Sequence, residues 1–455
     1  MSQIDPLQSG VFEDPFQQLC IPRFLRYVTV DTQADETSDT YPSSPGQWNL
    51  LRLLHRELVE LGLDEVEIDE HGYVTATLPA TVPATADADL PVVAFLAHVD
   101  TSPDMPGQAV KPLLHRNYDG SVLHLPDHAD AVLDPAEHDD LRAAVGHDLI
   151  TASGATLLGG DDKAGVAEIM AALEYLKAHP EIPHGNIRVA FTPDEEIGLG
   201  VEHFDVEAFG ADFAYTLDGG GHGRVECETF SADSARLTFV GFNTHPGYAK
   251  GKMVNSLKVA CDFVGRLPKD AVSPETTAGH EPYLHPNDIR AAVDRSTVHL
   301  LLRAFDDDGL AALRQTVQET ADAAVAAWPG SQVEVEFSES YRNMKPVVDR
   351  HPQVMAAAER AMARVGLELK QGPIRGGTDG SRLSHMGLPC PNLSSGQHAI
   401  HSRVEWVDVW EMGKAVELIV EIAKVVAEGV VAEGVVTEGV VVEDGAKLVA
   451  EDAGA

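Results

Sequence analysis

Apolar residues recur along this chain in several rhythms. Residues 47–63 (QWNLLRLLHRELVELGL) repeat at helical spacing and predict an amphipathic helix. Residues 73–78 alternate as a strand does. Residues 90–97 (LPVVAFLA) form a continuous apolar run, the signature of a buried strand. A helix over 164–179 and short apolar strands over 186–192 (NIRVAFT) and 213–217 (FAYTL) follow. Strands alternating with helices argue for an α/β domain with a largely parallel sheet.

The pattern changes after about residue 223. Strands are predicted at 235–241, 297–305 and 332–337, with helices at 255–267 and 308–327 between them. That βαβαβ-like module reads as a second domain inserted into the first. Residues 347–426 return to helix, glycine-rich loop and helix. Residues 1–20 read as a polar, weakly ordered leader, and 79–89 as a surface connection rich in Ala, Thr and Pro. From residue 425 a VVAEG-like unit repeats with period five, which matches neither helix nor strand; a weakly ordered acidic appendage is expected there.

Composition narrows the function classes. The chain has 455 residues, with 33 Lys and Arg against 72 Asp and Glu, a net charge of −39. Such a charge repels phosphate backbones and anionic lipid, so no nucleic-acid or membrane partner is expected. Four cysteines without a CxxC pair make no disulfide framework. No basic-then-apolar signal and no apolar run of 18 residues is present, so a soluble, unexported cytoplasmic protein is expected.

Candidate chemistry gathers just after the apolar strands, where open α/β sheets carry their sites. His98 and Asp100 follow the first run two residues apart, on one face of extended chain. His98 can ligate a metal and Asp100 can orient its ring; a surface turn is the plain alternative. Gly159-Gly160-Asp161-Asp162-Lys163 leads into a helix, where Asp161 is either a helix cap or a carboxylate able to bridge two cations. Glu195 and Glu196 repel each other unless a cation absorbs their charge; they are either a solvated acidic loop or a pair in which one binds metal while the other moves a proton. Asp218 precedes three glycines as a further hard ligand or an Asp-Gly turn. Near the C-terminus, Arg375 can grip a carboxylate bidentately, and His398 or His401 can complete a metal shell. Carboxylates and imidazoles from separate strand ends suit Zn²⁺, Co²⁺ or Mn²⁺ in a catalytic site. Five ligands and a spare Glu suggest two metals sharing a carboxylate, the arrangement that serves amide hydrolysis.

These motifs resemble a known family. HVDT at 98–101, LLGGDDKAG at 157–165, FTPDEEIG at 191–198, LDGGG at 217–221 and IRGGTDGSRLSHMGLPCPN at 374–392 look like the co-catalytic zinc metallopeptidases that include glutamate carboxypeptidase and succinyl-diaminopimelate desuccinylase. Residues 24–35, 243–256 and 341–344 are similar to the tripeptide-aminopeptidase branch, and the resemblance runs from about residue 22 to 426. It implies two Zn²⁺ per subunit, with Co²⁺ or Mn²⁺ as substitutes. His98 and Asp218 would hold one, Glu196 and His401 the other, and Asp161 would bridge. His401 is marked by Glu405 four residues on, which leaves His398 outside the shell. Asp100 and Glu195 would be catalytic, Glu195 as general base and acid. His245 would face the oxyanion, and Asn255, Arg303 and Arg375 would bind substrate, Arg375 at the peptide's C-terminal carboxylate. The implied fold is a zinc-peptidase-like α/β catalytic domain, residues 1–227 plus 344–426. A smaller two-layer α/β lid of the dimerisation type, residues 228–343, is inserted in it, and an acidic tail follows over 427–455. The implied activity is release of the N-terminal residue from tripeptides by a monomer or homodimer; a dipeptidase, carboxypeptidase or N-acyl amino acid deacylase is the alternative.

Overall fold

The computed structural model describes residues 12–82 and 90–436, with side chains described as far as 429. The remaining leader, most of the 79–89 connection and the tail beyond 436 lie outside the described residues.

The continuous apolar runs become the middle of a seven-stranded sheet. Its order is Asp64–Ile68, Val74–Leu78, Ile187–Thr192, Val93–His98, Phe213–Gly219, Asn392–Ser394 and Val225–Glu226. The four strands from Ile187–Thr192 to Asn392–Ser394 run parallel, and antiparallel strands close both sides. Parallel strands are covered on both faces, which is why Val93–His98 is buried at every position. One cover is the helix Gly160–Ala178. A Cβ on its Gly165 would stand 2.1 Å from the Leu217 carbonyl oxygen, so glycine lets the helix lie directly on the sheet. The amphipathic helix is Pro45–Leu61, with Leu50, Leu51, Leu54 and Leu58 buried and Gly62 closing it at φ 70°.

The inserted segment carries its own four-stranded antiparallel sheet, ordered Tyr283–Ala291, Arg295–Ala304, Ser231–Val240, Gln332–Tyr341. Helices Ser256–Arg266 and Asp307–Ala327 pack Val259, Phe263, Leu313 and Val317 on Leu237, Phe239, Val298 and Leu300, a core separate from that of the main sheet. Asp233, fully buried, lies between Arg314 at 2.6 Å and Arg342 at 3.0 Å.

Three sequence expectations change. The expected leader contains the helix Pro15–Tyr27, whose Cys20, Ile21 and Phe24 are buried. Tyr283–Ala291 is a strand where none was expected; it sits at the sheet edge and bulges after Pro286, the setting in which proline is tolerated. The helix Val409–Val436 continues through the first two VVAEG units, where a weakly ordered appendage was expected.

Candidate functional site

The carboxyl ends of the parallel strands converge on one cluster. His98 ends its strand, Asp218 lies near the end of the next, and Glu195 and Glu196 follow Ile187–Thr192 in a short 3-10 turn. Asp161 enters from the start of Gly160–Ala178, where Asp161 and Asp162 have non-helical backbone angles and the peptide bond between them is cis. His401 arrives from the loop after Gln397–His398.

Distances order these groups around Asp161. Its Oδ1 lies 3.0 Å from His98 Nε2, and its Oδ2 lies 3.2 Å from His401 Nε2. Beside His98 stand Asp218 Oδ1 at 3.7 Å and Glu195 Oε2 at 4.0 Å. Beside His401 stands Glu196 Oε2 at 2.9 Å. His98, Glu195 and Asp218 each bring one ligating atom within 4.8 Å of the others, as do His98, Asp161 and Glu196.

Electrostatics sharpen the picture. Burial opposes charge on Asp161, but His401 and His98 hold its carboxyl below the ordinary range. Burial pushes Glu196 up to about 8 and Asp218 up to about 6, with Asp161 adding to both, and it drives Glu195 well above its ordinary value. Hydrogen bonds to Asp161 and Glu196 lift His401 to about 11. Glu196 Oε1 is buried without a hydrogen-bond partner among the described residues. Four crowded carboxylates, two imidazoles and an orphaned carboxylate oxygen are what divalent cations would satisfy; the residues fit a metal centre.

Neighbouring groups fix this geometry. Asp100 is fully buried; it faces His98 Nδ1 at 3.3 Å, and its two oxygens accept the Glu195 and Glu196 backbone N–H groups at 3.1 Å each. Asp162 instead accepts the His98 and Gly165 N–H groups, away from His401. His398 stacks on Trp406 and meets Glu411 at 2.8 Å, apart from the Asp161 cluster. Gln397 Nε2 donates to Asp218 Oδ1 at 3.1 Å.

Sequence reasoning missed one anchor entirely. Asp194 holds a left-handed backbone at φ 56°, and its buried carboxylate accepts Ser43 N–H (2.6 Å), Ser43 Oγ (2.5 Å) and Gln47 Nε2 (2.6 Å). The partners lie about 150 positions earlier, and no local motif signals them.

The four residues assigned to substrate by resemblance part company. Arg303 lines the cleft, a space of about 1150 Å³ between the main sheet and the insert, with its guanidinium 5.6 Å from the Tyr341 ring centroid. Arg375 lines it too, yet its guanidinium donates to Gly279 O, Glu281 O and Thr277 Oγ1 of the insert and lies over Phe230 and Tyr283. His245 and Asn255 are not among the cleft's lining residues. His245 accepts the Gly247 N–H, and Asn255 caps Ser256–Arg266 through the Leu257 N–H.

Residues 125–425 match the peptidase family M20/M25/M40. The chain belongs to this family. The M20 peptidase is 46% identical over 405 residues to peptidase T of Geobacillus sp. (strain WCH70), covering 89% of this chain and 98% of that one. It is 47% identical over 406 residues to peptidase T of Clostridium perfringens (strain 13 / Type A), again 89% and 98%. Solved structures agree in fold. The aminopeptidase PepT from Bacillus cereus ATCC 10987 superposes with a TM-score of 0.68 at 24% identity, over 90% of this chain and 99% of that one. A tripeptidase from Staphylococcus aureus gives 0.71 at 22%, with the same coverage. This M20 peptidase is thus a hydrolase acting on peptides. Among its described residues no helix is long and apolar enough to cross a membrane.

Proposed function

We propose that the protein is a dinuclear zinc aminopeptidase that releases the N-terminal residue from tripeptides. The observation that carries this reading is the position of Glu195. It stands 4.0 Å from His98 with no side-chain hydrogen bond of its own among the described residues, pinned through its backbone by Asp100. The curated relatives carry the name peptidase T, and one similar structure is titled a tripeptidase.

His98 and Asp218 would hold one ion, Glu196 and His401 the other, with Asp161 between them. Bound there, two divalent cations acidify water toward a pKa of about 7 and polarise a carbonyl. Glu195 accepts the proton of the attacking water and returns it to the departing amine. Asp100 fixes the His98 ring and the Glu195–Glu196 backbone together, so base and ligands keep their spacing. Arg303 and Arg375 are among the cationic groups lining the cleft that a peptide carboxylate would meet, Arg375 after release from the 277–281 segment. His245 and Asn255 reach the substrate only when the insert moves toward the main sheet or a second copy supplies them.

The test is a peptide-library digest with metal analysis of the same sample. Tripeptides lose their N-terminal residue, dipeptides persist, and zinc is found at two per chain. Glu195→Gln keeps the metal and lowers kcat by about 10²–10⁴-fold. Equal cleavage of N-acetylated and free tripeptides would instead favour a deacylase.

A further inference from the structure

An enzyme that removes N-terminal residues must recognise an ammonium group, and a carboxylate is the group that does this best. The cleft carboxylates can be sorted by their partners. Asp161, Glu195, Glu196 and Asp218 belong to the candidate metal centre. Glu202 pairs with Arg382 at 2.5 Å, Glu339 with Arg342 at 2.6 Å, and Asp140 faces His398 at 3.5 Å. Asp379 is buried and accepts Thr192 Oγ1 at 2.9 Å. Glu36 is exposed at the rim. Glu226 remains: it lines the cleft, is partly covered, and forms no ion pair within 4 Å among the described residues.

Glu226 is also held in place. It pairs with Asn392 across the antiparallel strands, and its Oε2 accepts Asn392 Nδ2 at 3.0 Å. The Oδ1 of the same Asn392, which is 1% exposed, accepts the backbone N–H of Asp218 at 3.0 Å and Thr216 Oγ1 at 3.1 Å. One buried amide therefore ties Glu226 to a residue of the metal cluster at fixed spacing. Glu226 Oε1 has no hydrogen bond of its own among the described residues.

We infer that Glu226 is the anchor for the substrate's N-terminal ammonium, the group that measures one residue from the free end to the scissile bond. This rests on the aminopeptidase reading above. Burial, partly offset by Arg224, lifts the carboxyl to about 7, and an arriving ammonium favours its ionised form. The arrangement excludes chains whose first nitrogen is acylated, because Glu226 would lose its cationic partner while remaining desolvated.

The experiment compares Ala-Ala-Ala with propionyl-Ala-Ala, which differ only in the ammonium, on metal-loaded wild type and Glu226→Gln. Wild type prefers the free amine. In E226Q the ratio of kcat/KM values falls about 10- to 100-fold, chiefly through KM for Ala-Ala-Ala, the range of one charge-assisted hydrogen bond; metal content stays at the wild-type value. A wild-type preference that persists in E226Q overturns the assignment of Glu226 and leaves the aminopeptidase reading standing. A wild type with no preference overturns both. Should E226Q not fold, Glu226→Asp decides: retained preference with KM raised several-fold supports the anchor, and an unchanged KM overturns it.

Discussion

The carboxylate of Glu405 accepts the backbone N–H of Asp161 at 3.0 Å across 244 positions of sequence. Its other oxygen accepts Leu158 N–H at 2.7 Å and Gly159 N–H at 2.9 Å. One buried side chain thus shapes the loop that delivers the central carboxylate of the cluster. Glu405 stands four residues after His401, so the same short segment places a candidate ligand and fixes another.

Glu405→Gln replaces one acceptor oxygen with an amide that cannot accept these N–H groups. Metal affinity is expected to fall about 10–100-fold, the usual effect of losing a group that orients a ligand. Equilibrium dialysis of the purified variant against graded Zn²⁺ measures it. Wild-type affinity would show that the loop holds its shape unaided.

Asp194 gives a second expectation. Asp194→Asn keeps a residue that tolerates φ 56° but turns an NH₂ group toward the Ser43 and Gln47 donors. A buried donor left without an acceptor costs about 1–3 kcal/mol. The melting midpoint should drop, and kcat should fall with metal content unchanged, because Glu195 is the next residue. A variant with wild-type melting and turnover would make the Ser43–Gln47 contacts incidental.

The His398–Glu411 pair sets a pH window. Burial opposes both charges. The hydrogen bonds to Asp140 and Glu411 nevertheless lift His398 to about 9, and His222 and His398 hold Glu411 down at about 2. His398, raised in the folded state, contributes stability that is complete below its unfolded value near 6.5 and is lost as pH rises through 9. Glu411, lowered in the folded state, contributes stability that is complete above about 4.5 and is lost as pH falls through 2. The pair is therefore at full strength between about pH 4.5 and 6.5. His398 alone accounts for up to about 3 kcal/mol of alkaline loss. Melting curves from pH 6 to 10 should show that decline in wild type and a flatter profile in His398→Asn; parallel profiles would remove the pair from the account.

The sequence reveals most where one physical signal dominates. The strands Val93–His98 and Phe213–Gly219 are mainly apolar up to their ends because both sheet faces are covered, so those ends, and with them His98 and Asp218, can be located by reading alone. Glu195 and Glu196 stand out because adjacent carboxylates after a strand have few reasons to exist. Signals fail where the partner is distant or the pattern mixed. Nothing near Asp194 points to Ser43 and Gln47, and nothing near Glu226 points to Asn392. Pro22 inside Pro15–Tyr27 masks a buried helix, and Pro286 with Asp288 disguises an edge strand. The period-five repeat misleads differently: the Ala and Glu of each VVAEG unit are good helix formers, and the backbone stays helical to Val436 despite the valines and glycines.

Strand Asn392–Ser394 pairs in parallel with Phe213–Gly219, and His401 and Glu405 come later still. A polypeptide emerging from the ribosome therefore carries His98, Asp161, Glu195, Glu196 and Asp218 long before the segment that locks them. A product stopped anywhere before residue 392 lacks the sheet partner, the second imidazole and the brace on Asp161 at once. On the proposed reading, a chain released before His401 would hold the first carboxylates of the cluster and yet lack peptide cleavage.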